Sequence, residues 1–420
     1  MAEFIPQPSC ADPQEPQSLS VEMARQRIAD LLSFQSASHK SALRDALGRV
    51  LAEDIISTIN VPAHNNSAMD GYALKGNDIN GEQFTLKQVG VAYAGQPYNG
   101  SVNAGECIRI MTGAMMPADC DTVIMQEHVE ANDDQITMHG QHRATQNVRL
   151  AGEDLAVGDV VLKAGHKLSP ADLGLIASLG IAEVHVQQKL RVAFFSTGDE
   201  LRSLGETLEP GQIYDSNRYT LYGMLKRLDV DIIDMGVVPD QKAALRTALQ
   251  SASERADVVI TSGRVSVGDA DYVKEMLAEL GQVDFWKIAM KPGRPLAFGK
   301  INDALFFGLP GNPVSVMVTF YQFVTPALKQ LTGETLQTTT PTMQIECISK
   351  IRKRAGRFEF QRGILFEDEK GQTKVKITGE QGSGILRSMS IANCFILLEE
   401  QCDGVEANTV VTVQPFAGLI

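Results

Sequence analysis

Residues 191–200 read RVAFFSTGDE, and the first five of them predict a buried strand. From Lys189 onward, similar Val- and Ile-rich strands alternate with amphipathic helices. This alternation predicts a parallel sheet covered by helices on both faces, which is a doubly wound α/β domain. Ligands of such domains gather outside the carboxyl ends of the strands. The small and acidic residues after Phe195 therefore fall where a ligand site is expected.

The α/β region is predicted to end in one long helix. Its predicted strands are 191–195, 231–238, 257–260, 283–289, 296–298 and 304–307, and its predicted helices are 217–227, 242–254, 271–280 and 313–331.

The segments on either side of the α/β region have different sequence patterns. Ser20 is predicted to cap a helix over 21–33, and a short helix over 169–179 begins with Pro170 and is closed by Gly180. Residues 52–161 are short β-branched runs broken by Gly, Pro and Asn, which indicate a β-rich region. After a polar linker at 338–342, alternating apolar and polar residues predict a small antiparallel β-domain.

Composition and charge exclude several classes of partner. The 420 residues are enough for about two to four packing units with cores of their own. Lys and Arg number 38 against 51 Asp and Glu, which gives a formal net charge of −13. Because this charge repels phosphate backbones, we expect no nucleic-acid partner. An anionic small substrate would need a local basic patch.

The expected location is the cytoplasm. The six cysteines never occur in a C-x-x-C spacing, which favours a reduced protein. Residues 1–17 contain four prolines and lack the basic and apolar regions of a signal peptide, so they predict a flexible tail. The most apolar stretch, 314–328, is interrupted by polar residues and Pro326, so no membrane partner is expected.

Three strand ends carry glycine together with polar residues. Residues 196–200, STGDE, offer carboxylates that suit Mg²⁺, or form a turn with a helix-capping acid. Residues 261–271, TSGRVSVGDAD, place a Gly- and Ser-rich loop before a helix, where N–H groups and the helix dipole favour a phosphate. In the alternative interpretation, Asp271 is only the N-cap of that helix.

The third strand end, residues 308–315, reads GLPGNPVS. Asn312 is its predicted N-cap and Pro313 its first helical residue. Just before it, Lys287, Lys291 and Arg294 supply the local positive patch, unless they form a solvated basic loop.

The β-rich region contributes residues 66–73 (NSAMDGYA), 108–114 (IRIMTGA) and Gly152-Glu153-Asp154. By spacing alone none of these strings is specific. Together with the strand-end motifs, and in this order, they resemble the molybdopterin molybdenumtransferase family, which includes MoeA and the E domain of gephyrin. The resemblance extends from about Leu19 to Phe416 and rests on residues 67–73, 110–114, 196–201, 265–268, 271–272, 291–295 and 308–315.

The resemblance implies an elongated multidomain subunit that forms a homodimer, with the α/β part of one subunit facing β-rich parts of its partner. The expected parts are a tail (1–17), a discontinuous N-terminal domain (18–56 and 151–187), an inserted β-rich domain (57–150), an α/β molybdopterin-binding domain (188–333) and a C-terminal β-barrel-like domain (338–420).

The activity that the resemblance implies is insertion of molybdate into adenylylated molybdopterin. Mg²⁺ assists cleavage of the adenylate, and the products are AMP and molybdenum cofactor. The protein partners that the resemblance implies are the molybdopterin adenylyltransferase and apo-molybdoenzymes.

The matching motifs also carry over the site residues. The catalytic residues are Asp70, Thr112, Asp154, Glu200, Asp240 and Asp271, with Glu200 and Asp271 as metal ligands. The substrate-binding residues are Ser266, Gly268, Lys287, Lys291, Arg294, Pro310, Pro313, Ser315, Arg362 and Ser383. Molybdate and phosphate are oxyanions that suit Lys, Arg, hydroxyls and helix starts, whereas the carboxylates need a cation between them and the anion.

One position departs from the family pattern. The family usually reads Gly-Gly-Val-Ser where this chain has Gly263-Arg264-Val265-Ser266. If the backbone there needs positive φ, a non-glycine residue costs about 1 to 2 kcal/mol, so Arg264 is hypothesised to weaken adenylate binding or turnover. In the alternative interpretation, its guanidinium binds an anion. The hypothesised weakening leaves a non-catalytic dimeric scaffold, or a pterin-binding protein with impaired turnover, as the alternative function. An adenylyltransferase fits the α/β part but not the β-rich additions.

Overall fold

The computed structural model describes residues 18–32, 37–263, 271–335 and 341–416. The chain divides into two compact units. The first comprises residues 1–39 and 187–420, and the second comprises residues 40–186. No helix in the described ranges has the length and hydropathy needed to cross a membrane.

The helices are short in both units. They are α1 (Val21–Leu31), α2 (Pro170–Ser178), α3 (Ser216–Lys226), α4 (Lys242–Arg255), α5 (Asp271–Leu280), α6 (Pro313–Thr319), α7 (Thr325–Leu331) and α8 (Leu386–Ile391).

The strands up to residue 187 are β1 (Ser38–Ala42), β2 (Ile55–Ile56), β3 (Asn66–Ser67), β4 (Gly71–Leu74), β5 (Gln83–Ala92), β6 (Glu106–Ile110), β7 (Thr122–Met125), β8 (Val129–Asn132), β9 (Gln135–His139), β10 (Val148–Arg149), β11 (Val160–Leu162) and β12 (Glu183–Gln187). The later strands are β13 (Arg191–Thr197), β14 (Leu201–Arg202), β15 (Ile213–Tyr214), β16 (Asp231–Val238), β17 (Val258–Ser262), β18 (Gly281–Lys287), β19 (Met290–Lys291), β20 (Pro295–Ile301), β21 (Ala304–Leu309), β22 (Met343–Cys347), β23 (Ile351–Arg352), β24 (Phe358–Glu367), β25 (Thr373–Ile377), β26 (Cys394–Leu398), β27 (Gly404–Val405) and β28 (Thr409–Pro415).

The second unit is built on a six-stranded sheet in the order β7-β4-β6-β5-β9-β8. Only the β5–β6 pair among these is parallel. α2 is fixed by a capping box, in which the Ser169 hydroxyl accepts from the Asp172 N–H and the Asp172 carboxylate accepts from the Ser169 N–H. Gly180, at φ 75°, follows the helix end as predicted.

The α/β sheet of the first unit runs β16-β13-β17-β21-β20-β18. Its first four strands are parallel, whereas β20 and β18 are antiparallel to their neighbours. The prediction of a fully parallel sheet is therefore wrong at this edge. The physical reason is loop length, because only Asn302 and Asp303 separate β20 from β21 and a parallel crossover needs a dozen or more residues.

Helices cover both faces of this sheet, as predicted. Phe194 packs in a core cluster with residues of α1, α3 and α6, whereas its neighbour Phe195 packs with residues of α4 and α5. Adjacent residues of a strand point to opposite faces, so a strand buried on both faces needs a continuous apolar run. The sequence that begins at Val192 meets that need.

The predicted helix 313–331 is continuous but not uniformly α-helical. A π-helical turn at Phe320–Val324 separates α6 from α7. Pro326 accounts for the wider turn, because it has no N–H to donate and its ring would meet the carbonyl four residues earlier.

The C-terminal region is a closed barrel, which confirms the predicted β-domain. Strands run β24-β25-β22-β28-β26, and an additional β24–β26 pairing closes the ring. β19 also pairs with β24, in parallel, although it lies in the loop between β18 and β20 of the α/β sheet. This pairing joins the basic segment around Lys291 to the barrel.

Candidate functional site

Four loops leave the α/β sheet at the carboxyl ends of its parallel strands β13, β16, β17 and β21, which we call the ligand edge. The parallel register aligns Thr197 of β13 with Val238 of β16, and Ser262 of β17 with Leu309 of β21. Ser196 is aligned with Ser262, and their hydroxyl oxygens lie 3.1 Å apart in the buried interior. The strand-end motifs of the sequence are thus neighbours in space, as the sheet topology requires.

Direct contacts bring the loops together. The Asp240 N–H donates to Asp199 Oδ1 at 3.2 Å. A Cβ added to Gly263, which has φ 127°, would lie 2.2 Å from the Thr197 carbonyl oxygen. A Cβ added to Gly311 would lie 3.7 Å from the Gly263 Cα. Glycine at position 263 is therefore required by both backbone conformation and close approach.

The acidic side of the ligand edge has three carboxylates in the described loops. Asp199 and Glu200 are exposed and Asp240 is half-buried. Among the residues that the structure describes, no group of three or more His, Cys, Asp or Glu side chains has the geometry of a metal cage. Mg²⁺ does not need one, because it binds through one or two carboxylates and keeps waters and substrate phosphates. The donor chemistry therefore fits Mg²⁺.

Part of the predicted anion loop lies outside the described residues. This applies to Arg264, Ser266 and Gly268. α5 begins at Asp271, and the side chain of Asp271 also lies outside the described part.

The start of α6 is organised by the barrel. Asn312 occupies the N-cap position, but its side chain makes no capping hydrogen bond. Instead, the Val314 N–H donates to the backbone carbonyl of Ser383 at 3.1 Å. Pro313 takes the first helical position, as predicted, and Ser315 is buried in the first turn. The predicted N-cap position is thus confirmed, but the Ser383 carbonyl and not the Asn312 side chain accepts a hydrogen bond from the helix start.

The basic segment packs against the same helix. Gly293 has φ 95°, and a Cβ there would lie 2.5 Å from Thr319 Oγ1 and 3.4 Å from the Ser315 carbonyl oxygen. Lys291 is half-exposed and lies 3.5 Å from Glu359 Oε1. The structure thus brings Lys291, Ser315 and Ser383 to one part of the first unit.

Three other predicted cations have different surroundings. The Lys287 carbonyl accepts from the Leu19 N–H at 2.8 Å. An Arg294 guanidinium nitrogen lies 3.5 Å from Ser18 Oγ. Arg362 is 1% exposed and donates to Ser388 Oγ and to the Gly382 carbonyl. Burial lowers the pKa of Arg362 to about 10.

The second unit carries a separate pair of predicted site residues. Asp70 Oδ1 accepts from the Thr112 N–H at 2.7 Å and from the Thr112 hydroxyl at 2.8 Å. These two hydrogen bonds, the backbone one first, lower the pKa of the Asp70 carboxyl, and Arg109 adds a smaller effect in the same direction. Asp154 is exposed and its N–H donates to the Val61 carbonyl.

A half-open cavity of about 360 Å³ lies in the second unit. Its lining includes Asn66 and Gly113, so it is adjacent in the chain to Thr112. Tyr93 and Met115 give it an apolar wall.

Three domain families match the chain in order. The MoeA N-terminal region (domains I and II) matches residues 19–180, the "Probable molybdopterin binding domain" matches residues 193–330, and the MoeA C-terminal region (domain IV) matches residues 344–416. A relative from Haemophilus influenzae named "Molybdopterin molybdenumtransferase" is 45% identical over 96% of this chain and 100% of its own length. The chain belongs to the molybdopterin molybdenumtransferase family.

Other relatives of the chain agree with this family assignment. A Nostoc protein with the same name is 40% identical over 69% of this chain and 68% of its own length. The crystal structure of the molybdopterin biosynthesis moeA protein from Pyrococcus horikoshii OT3 matches with a TM-score of 0.83 and 29% identity, covering 95% of this chain and 100% of that one. The resemblance drawn from the motifs is confirmed.

Sequence reasoning missed one polar residue near the basic segment, Glu359. Asp199 was not missed, because it belongs to the STGDE motif that predicts Mg²⁺ ligands, and the structure adds its hydrogen bond from the Asp240 N–H. Glu359 stands out in no motif of the sequence, whereas the structure buries it and places its Oε1 3.5 Å from Lys291 Nζ.

Proposed function

We propose that the protein inserts molybdate into adenylylated molybdopterin and releases AMP, so that molybdenum cofactor is formed. The observation that carries this proposal is the match over the full length of the Haemophilus influenzae molybdopterin molybdenumtransferase. The contacts among the strand-end loops support it, because they provide the polar edge at which an α/β domain binds its ligand.

The proposed oxyanion-binding groups are the Lys291 ammonium and the Ser315 hydroxyl. Lys291 is half-exposed, so its head can reach a ligand. A charged donor and a hydroxyl suit tetrahedral oxyanions, since hydrogen bonds from a cation are shorter and stronger than neutral ones. These residues would bind and orient molybdate and phosphate.

The proposed cofactor is Mg²⁺, held by Glu200 and Asp271 with Asp199 and Asp240 nearby. When bound, Mg²⁺ would neutralise charge on the phosphate and its leaving group. Without Mg²⁺, these carboxylates would repel the negatively charged adenylate. They can therefore contribute to substrate binding only through the cation.

Asp70 and Thr112 are proposed to bind substrate from the second unit. The Asp70 carboxylate accepts both Thr112 donors, and these hydrogen bonds lower its pKa. The Thr112 hydroxyl oxygen then has lone pairs for a donor such as a pterin N–H.

We further propose a cytoplasmic homodimer that receives its substrate from the molybdopterin adenylyltransferase and passes its product to apo-molybdoenzymes. Support comes from the family membership and from the cysteine pattern.

The test is AMP release by the purified protein supplied with adenylylated molybdopterin, Mg²⁺ and molybdate. We expect stoichiometric AMP and active molybdenum cofactor, and loss of both when Glu200 is replaced by Gln. A folded dimer that binds the pterin but releases no AMP would instead identify a scaffold.

A further inference from the structure

Glu359 is a buried acid with an exposed basic neighbour. β19 and β24 pair in parallel with Lys291 opposite Glu359. Lys291 Nζ lies 3.5 Å from Glu359 Oε1, and the Gln361 side-chain amide donates to the other oxygen. The Glu359 side chain is 7% exposed and that of Lys291 is 50% exposed. The acid is thus anchored inside the barrel, and the lysine extends from it to the surface.

Other cations surround the same carboxylate. Lys353 is buried and donates to the backbone carbonyls of Arg354, Glu400 and Cys402 at 3.4, 3.3 and 2.8 Å. Burial lowers the pKa of Lys353, and Glu359 opposes this effect. Glu359 likewise opposes the lowered pKa of Arg362. Glu359 therefore acts on three basic side chains, Lys291, Lys353 and Arg362, and Glu400 also acts on Lys353.

We propose that Glu359 is the positioning residue that holds the Lys291 ammonium in place for oxyanion binding. This inference rests on the proposed function. A lysine head sits on a flexible four-carbon chain, and ordering such a chain opposes ligand binding. A buried partner that already restrains the chain removes part of that cost.

A second possible effect of Glu359 has the opposite sign. A carboxylate near an anion site repels the anion, so neutralising it would tighten binding if charge were its only influence. The direction of the change in affinity therefore separates positioning from simple repulsion.

The experiment compares wild-type protein with Glu359→Gln, Lys291→Met and the double variant. Calorimetric affinity for molybdate and for AMP is measured, together with the KM for molybdate. We expect Glu359→Gln to weaken oxyanion binding about tenfold. In the Lys291→Met background, we expect Glu359→Gln to cause little further loss, because the positioned group is gone.

Glu346→Gln is the matched control. Glu346 also lies in the barrel and pairs with a lysine, Lys374, at 2.7 Å. We expect the oxyanion affinity of Glu346→Gln to equal that of the wild type. Glu359→Asp keeps the buried charge but shortens the side chain by one methylene, so it replaces Glu359→Gln if that variant does not fold. We expect Glu359→Asp to lose less oxyanion affinity than Glu359→Gln, and this loss should again require Lys291.

Tighter or unchanged oxyanion binding in the folded Glu359 variants would overturn the proposal, as would losses that add fully to that of Lys291→Met. The proposed function would be overturned, and the positioning role supported, if the wild type binds oxyanions more tightly than the Glu359 variants but releases no AMP. Normal AMP release with affinity independent of Glu359 would overturn only the positioning role.

Discussion

Replacing Gly263 by Ala should both destabilise the α/β domain and disturb its ligand edge. Gly263 has φ 127°, and a Cβ there would lie 2.2 Å from the Thr197 carbonyl oxygen. Backbone strain in such a conformation costs about 1 to 3 kcal/mol. The steric conflict costs about 1 to 3 kcal/mol more, because the nearest atom is a backbone oxygen, which cannot rotate away as a flexible side chain can.

Gly205 offers a matched control in the same unit. It has φ 89°, but a Cβ there would meet nothing within 4 Å. Gly205→Ala therefore carries the strain without the clash. The difference between the two variants isolates the close approach of Gly263 to Thr197.

The assay is urea denaturation followed by fluorescence of Trp286. This is the single tryptophan, it is 6% exposed, and it lies in β18 of the same sheet. We expect Gly263→Ala to lower the free energy of unfolding by about 1 to 3 kcal/mol more than Gly205→Ala. Equal losses in the two variants would refute the inferred packing of these loops.

Three further predictions concern single sites. Ser20→Ala removes the cap that accepts the Met23 N–H and should destabilise α1 by about 1 kcal/mol, which hydrogen exchange of its first turn would show. The pKa of Asp70 is lowered in the folded protein, so Asp70 should stabilise the fold at pH values above its unfolded pKa, and this stabilisation should be lost as the pH falls through the folded pKa. Thr112→Ala should raise the Asp70 pKa only partly, because the hydrogen bond from the Thr112 backbone N–H is the larger cause of the shift. A carbon NMR titration of Asp70 measures this change. Burial raises the pKa of Cys107 to about 12, so a thiol reagent at pH 8 should label it only after unfolding.

The sequence predicted the elements of the α/β domain because local patterns determine them. The apolar run after Arg191 requires burial on two faces, and the structure provides it. Strand direction was harder to predict. Asn302-Asp303 forms a two-residue hairpin turn, which makes β20 and β21 antiparallel. The apolar sequences of these two strands fit a parallel sheet equally well, so they did not indicate strand direction.

The polar contacts of the site depended on long-range packing. Asn312 has the residue type of an N-cap, yet the carbonyl of Ser383 accepts the hydrogen bond from α6. Glu359 has the residue type and spacing of an exposed strand position, but the addition of β19 to the barrel places it beneath Lys291. Neither contact is encoded within a few residues, so no local pattern could have indicated it.

The most direct measurement is a crystal structure of the protein soaked with molybdate and AMP, with anomalous data collected at the molybdenum edge. We expect the molybdenum peak within about 4 Å of Lys291 Nζ or Ser315 Oγ, since an oxyanion hydrogen-bonds its donors at about 2.7 to 3.2 Å. A molybdenum peak remote from both residues, at full occupancy and in a protein that releases AMP, would contradict the assignment of the ligand edge as the oxyanion site.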